Sequence, residues 1–350
     1  MLKQFCCTRL LGVALAMGSA AASVPSVAAD LTVVAWGGVT QDALRAVYFE
    51  PFAKANGVNV IEDSWNGGYG VLQAKVKAGK PNWDVVQVES DMLELGCADG
   101  IFETLDLSTI PRDKLRPDAV NPCGIGVYYW SVALGYDADK LAKAPQSWAD
   151  FWDVKQFPGK RSLRKGAKYN LEFALLADGV AAEDLYQVLG TPEGVNRAFR
   201  KLDELRPYIV WWEAGGQPLQ YLASGEVVMA AVYNGRLTSI SKSEGKHYKL
   251  VWDGSIYALD SWAILKGARN KAQAEQFIAF ASQAQHQAKL PTYVPYGVPN
   301  LDASAQIAPD VYADLPTHPD NLRNAIALNT AFWNDHLEDL TTRYNAWLAR

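Results

Sequence analysis

Trp36, Glu89, Tyr233 and Arg236 are the residues whose types and positions suit ligand chemistry. Each falls at or just past the end of a predicted strand: Trp36 before Gly37-Gly38, Glu89 after the apolar run through Val88, and Tyr233 before Asn234-Gly235-Arg236. Open parallel sheets hold ligands beyond the carboxyl ends of their strands. A Trp or Tyr face over an ammonium contributes ~0.5 to 2 kcal/mol, and a carboxylate partner fixes its position. Aromatics with one anion and one cation therefore suit a small amine-bearing ligand. Each residue also has a plainer reading: Trp36 as core, Glu89 as a cap of the following helix, Asn234-Gly235 as a turn, Arg236 as a solvated charge.

Enzyme chemistry is poorly supported. The four histidines, His247, His286, His318 and His336, read as surface residues, and no GxSxG, HExxH or Walker pattern occurs. Asn66-Gly67-Gly68-Tyr69-Gly70 and Gly215-Gly216 open predicted helices, whose free amides hold an anion in some proteins and nothing in more. Carboxylate pairs for glycoside hydrolysis stay open, because sequence does not supply their separation. No CxxC or Cys/His cluster points to a metal, and neither metal nor cofactor is expected.

The elements that must position these side chains alternate. Strands over 31–36, 58–62 and 83–88 enclose helices over 41–56 and 69–78, and a further helix is expected to be capped at Ser90. This is βαβαβα, hence an α/β chain with an open, mostly parallel sheet. A second α/β unit begins near Ser147-Trp148-Ala149-Asp150, which resembles a capping box, with a helix from Thr191-Pro192-Glu193 and strands near 209–212 and 227–233. After a strand beyond Asp260 come a helix capped at Asn270, a Pro-rich stretch from Pro291 to Pro299 and a helical tail from Asn321. The 350 residues fit about two domains. Trp, Tyr and Phe number 12, 16 and 11, with Trp well above what a core alone tends to need.

Residues 1–29 read as a secretory signal peptide. Lys3 and Arg9 precede an apolar run from Leu10 to Ala22, and Val27-Ala28-Ala29 supplies small residues for cleavage before Asp30. Losing those two cations takes the formal charge from −5 to −7, which argues against nucleic acid as a partner. Cleavage leaves Cys97 and Cys123, an even count in an oxidising compartment. A disulfide between them, closing a loop of about 25 residues, would contribute ~3 kcal/mol.

Several segments carry a resemblance together. They are Trp36 after the first strand, Trp83-Asp84-Val85-Val86, Ala133-Leu134-Gly135-Tyr136, Ser147 to Trp152, Ser224-Gly225-Glu226-Val227, Tyr233-Asn234-Gly235, Leu259 to Ile264, and Tyr296-Gly297-Val298-Pro299-Asn300. In this order and spacing they resemble the periplasmic spermidine/putrescine-binding proteins of ABC importers, a branch of the extracellular solute-binding proteins. The resemblance implies a type II periplasmic binding fold. Each lobe would be a mostly parallel sheet flanked by helices, joined to the other by hinge strands and closing on a ligand. Lobe one would be 30–135 plus 259–299, and lobe two 136–258 plus 300–350. It further implies a periplasmic monomer without catalytic chemistry, which delivers its ligand to a membrane permease. In that family, aromatics at the positions of Trp36, Tyr233 and Tyr296 line the cleft, and the aspartate matching Asp260 holds an ammonium.

The departures redirect the ligand. Where polyamine binders place acids in lobe two, this chain reads Lys165-Gly166-Ala167-Lys168-Tyr169-Asn170, and Arg236 stands where they usually have a small residue. A guanidinium repels a dication and pairs bidentately with a carboxylate. The expected ligand is thus an ω-amino acid such as 4-aminobutyrate, with ammonium at Asp260, carboxylate at Arg236 and Glu89 as a possible second amine anchor. The alternatives are putrescine or spermidine, anchored additionally by Glu89 and Asp91, or an exported carbohydrate-active enzyme. Ferric ion held by Tyr128-Tyr129 is disfavoured, since the pair lies in an apolar run.

Overall fold

The computed structural model describes Met1 and residues 30–350; the expected signal peptide lies, apart from Met1, outside the described residues. Ten strands form one sheet: β1 (Asp30–Ala35), β2 (Asn59–Ser64), β3 (Val85–Glu89), β4 (Val120–Asn121), β5 (Gly124–Asp137), β6 (Arg161–Arg164), β7 (Ile209–Trp212), β8 (Met229–Tyr233), β9 (Tyr248–Ile264) and β10 (Ile326–Ala327). The order is β2-β1-β3-β9-β5-β8-β6-β7, with β10 beside β9 and β4 beside β5. The two outer thirds, β2-β1-β3 and β8-β6-β7, are parallel, as the alternation with helices requires. Between them β5 and β9, 14 and 17 residues long, run antiparallel to each other and to their outer neighbours. The fold is therefore α/β and two-lobed, with two long strands crossing from one half to the other.

Every residue of β5 is buried, so its sequence lacks the polar alternation that marks a strand with one wet face. Its partner β9 slips register between Val132 and Leu134 of β5, which re-aims side chains midway along the crossing. Helices cover both ends. The tract from Gly38 to Asn56 links β1 to β2, Tyr69–Lys77 links β2 to β3, and Pro192–Leu205 buries an apolar stripe of Val195, Ala198, Leu202 and Leu205. Ser147 and Thr191 cap their helices through bonds to the amides of Asp150 and Gly194. The helix Ser90–Ala98 instead takes Glu89 as its N-cap without a side-chain bond, while Ser90 Oγ donates to the Leu259 carbonyl at 2.7 Å. Asn270 precedes its helix but spends its amide on Asp30 and Asp84. The tail helix runs over Thr330–Leu348 and is capped by Asn329. Asn321 is buried in the separate short helix Pro319–Leu322, donating to the Ala313 and Leu315 carbonyls. Of the four histidines, His286 departs from expectation: it is buried and stacks on Phe280 at 3.8 Å.

Cys97 and Cys123 are bridged, with Cα atoms 5.7 Å apart, inside the usual range. The bridge ties the helix that follows Glu89 to the start of β5.

Candidate ligand-binding site

Register brings the first site residues together. Glu89 of β3 faces Asp260 of β9, and Asp260 faces Tyr128 of β5, so three neighbouring strands carry them in one row. Trp36 follows β1, Tyr233 ends β8, and Arg236 lies in the first turn of the helix Asn234–Glu244. All six expected side chains, Trp36, Glu89, Tyr233, Arg236, Asp260 and Tyr296, line one cavity at the junction of the two halves. The cavity is narrow, with about 50 Å³ open to the centres of water-sized molecules. That suits a small amino acid better than a disaccharide.

Two backbone details hold the cavity's shape. Asn234 accepts from the Ser131 amide at 2.9 Å and donates to the Pro295 carbonyl at 2.8 Å, clamping the helix start to β5 and to the segment that carries Tyr296. A Cβ on Gly235 would meet the Tyr296 ring at 2.5 Å, so the Asn-Gly pair permits a close approach and is more than a turn.

The charges divide unequally. Asp260 is 1% exposed. Its carboxylate accepts from the indole nitrogens of Trp130 at 2.6 Å and Trp36 at 2.5 Å and from the Gln87 amide at 3.0 Å. These donors are all neutral. Burial, with the charge of Glu89 adding to it, pushes the Asp260 carboxyl up to about 8. Arg236, 8% exposed, donates to the carbonyls of Trp36 and Gly37 at 3.2 and 3.1 Å. Among the described residues no cation lies within ion-pair distance of Asp260 and no carboxylate within that distance of Arg236.

Glu89 differs from both. Its carboxylate takes Lys168 Nζ at 2.6 Å, the Tyr169 hydroxyl at 3.2 Å and Arg164 at 3.7 Å. Burial raises its pKa, but these cations more than offset that and hold it below the usual range. Asp91 shares Lys168 at 2.6 Å. Glu89 thus gives the following helix no side-chain capping bond and does not stand free as a second amine anchor, and the polyamine reading that relied on Glu89 and Asp91 loses both acids to Lys168.

Sequence reasoning missed several walls of the cavity. Tyr128 stacks on Tyr296 at 4.6 Å, and Trp130 meets Tyr233 edge-on at 5.2 Å. Both sit at alternate positions of β5, and that spacing was the available signal. Tyr129 points to the other face and donates to Asp118 at 2.7 Å, so the tyrosine pair cannot act jointly on a metal ion. Arg164 had no signal, since β6 is only four residues long. Trp65, stacked at 5.1 Å behind Trp36, is a support outside the lining.

The model of the bacterial extracellular solute-binding proteins matches residues 48–320. The chain belongs to this family. As a solute-binding protein it is 51% identical, over 94% of both chains, to the gamma-aminobutyric acid-binding protein of Pseudomonas aeruginosa. It is 25% identical to the spermidine/putrescine-binding periplasmic protein of Escherichia coli, over 77% of this chain and 79% of that one. The solved Atu4243-GABA receptor superposes with a TM-score of 0.80 at 37% identity, covering 91% of this chain and 97% of the other. Family membership removes the carbohydrate-active enzyme as a reading.

Proposed function

We infer that this solute-binding protein captures a short ω-amino acid, 4-aminobutyrate or a close analogue, and delivers it from the periplasm to the permease of an ABC importer. The observation that carries this reading is a carboxyl with no cation beside it, Asp260, and a guanidinium with no anion beside it, Arg236, facing one small aromatic cavity. An ammonium supplies Asp260 with the cation its three neutral donors lack. A carboxylate supplies Arg236 with a bidentate partner, and Trp36, Tyr128, Tyr233 and Tyr296 enclose the methylenes between them. The relative at 51% identity carries the same ligand class in its name.

Residues 30–135 with 259–299 and residues 136–258 with 300–350 serve as the two lobes of a monomer, and cleavage before Asp30 releases them. Asp260 belongs to the first and Arg236 to the second, so only the closed state grips both ligand ends. Calorimetric titration of the purified mature protein with 4-aminobutyrate and with putrescine tests the reading. Micromolar binding corresponds to ~−8 kcal/mol, within reach of one charge pair at each end plus aromatic burial. Heat from 4-aminobutyrate and none from putrescine is the expected result; the opposite pattern overturns it.

A further inference from the structure

Glu89 and Asp260 are directly paired across β3 and β9 and both line the cavity, yet only Asp260 lacks a cation. The difference is Lys168, which reaches from the segment before the helix Asn170–Ala177 to place Nζ 2.6 Å from both Glu89 and Asp91. Asp91 is 2% exposed, and its second carboxylate oxygen has no partner, so Lys168 is its only counter-charge. The backbone is bent to make this reach. Tyr169, the next residue, has φ 76° and ψ −43° and is the one non-glycine with positive φ among the described residues, a conformation held only where surroundings over-determine it. Its hydroxyl ends on the same Glu89 oxygen as Lys168.

Resting on the ω-amino acid reading, we propose that Lys168 is the specificity-determining residue of the site, a tethered ammonium that fills the Glu89–Asp91 acid pair and so denies it to the second ammonium of a diamine. Glu89 faces the cavity and can accept an ammonium from the ligand as readily as from the chain. Arg164, 3.7 Å away, offsets one of the two acids but not both. Selectivity for a zwitterion then has two parts: Arg236 attracts the carboxylate, and Lys168 removes the anion that would reward a second amine.

Lys168→Met tests this, with wild type, Lys168→Arg and the charge-balanced double variant Lys168→Met/Asp91→Asn titrated alongside against 4-aminobutyrate and putrescine. The preference for putrescine over 4-aminobutyrate should rise at least tenfold in Lys168→Met, rise in the same direction in the double variant, and stay at the wild-type value in Lys168→Arg. An unchanged preference in folded Lys168→Met, or unfolding of both methionine variants, overturns the assignment and makes Lys168 a structural ion pair. Failure of wild type to bind 4-aminobutyrate would instead sink the reading beneath it.

Discussion

Arg236 and Asp260 have unequal lives in the empty protein. Arg236 rests on two backbone carbonyls, so Arg236→Ala should leave the melting temperature of the empty protein within a few degrees while weakening 4-aminobutyrate roughly thirtyfold or more, the scale of truncating one side of a buried charge pair. Asp260 carries a pH signature. With its carboxyl at about 8, it is mostly protonated at pH 7, and an incoming ammonium must expel that proton. Affinity should therefore rise with pH between about 6 and 8 and level off above. Calorimetry at pH 7 in buffers of different ionisation enthalpy should report release of nearly one proton, and Asp260→Asn should abolish it. Stability runs the other way: a carboxyl raised on folding stabilises the empty protein below its unfolded pKa of ~3.9, and that contribution is lost as pH climbs through about 8. Flat affinity across this range would show that Asp260 is ionised before the ligand arrives. Arg236 was legible because a cation after an Asn-Gly turn is out of place beside a dication. Lys168 was visible only as a basic residue and Arg164 not at all, since their pairing with Glu89 depends on how two distant segments meet.

At the scale of elements, most of the parallel outer strands were readable because they alternate with helices, whereas the four-residue β6 was missed and β5 was not read because complete burial erased its alternation. What the sequence did show of β5 was an apolar run holding Tyr128-Tyr129; the alternate aromatics Tyr128 and Trp130, which build the cavity wall, went unread. The cap expected at Ser90 falls one residue earlier, because the Ser90 hydroxyl is drawn to the Leu259 carbonyl. The helix expected after Asn270 does begin at Lys271 with Asn270 as its N-cap, although that side chain bonds Asp30 and Asp84 instead of the helix amides. The tail helix starts at Thr330, not at Asn321. The Cys97–Cys123 bridge closes a 26-residue separation, which the chain-entropy relation values at ~3 kcal/mol. Denaturant titration of the Cys97→Ser/Cys123→Ser protein should show a loss of that order. A loss near zero would mean that the ends of this loop are already held by β4 and the helix Ser90–Ala98. Gly235→Ala forces a Cβ into the Tyr296 ring, and 4-aminobutyrate binding should fall with it even where folding survives.

For the whole molecule, one sheet runs unbroken through both halves, and the ligand cavity lies where β9 and β5 carry it across. Even without a ligand, Lys168, Tyr169 and Arg164 reach Glu89, and Arg236 reaches the carbonyls after β1. On the proposed reading a zwitterion adds a further link, its two ends held by Asp260 and Arg236. The most direct measurement is a crystal structure of the mature protein grown with 4-aminobutyrate. The ligand nitrogen is expected within ~3 Å of the Asp260 carboxylate, between the Trp36 and Trp130 indoles, with both carboxylate oxygens at hydrogen-bond distance from Arg236. A ligand lying in the reverse direction, or one held by neither side chain, would contradict it.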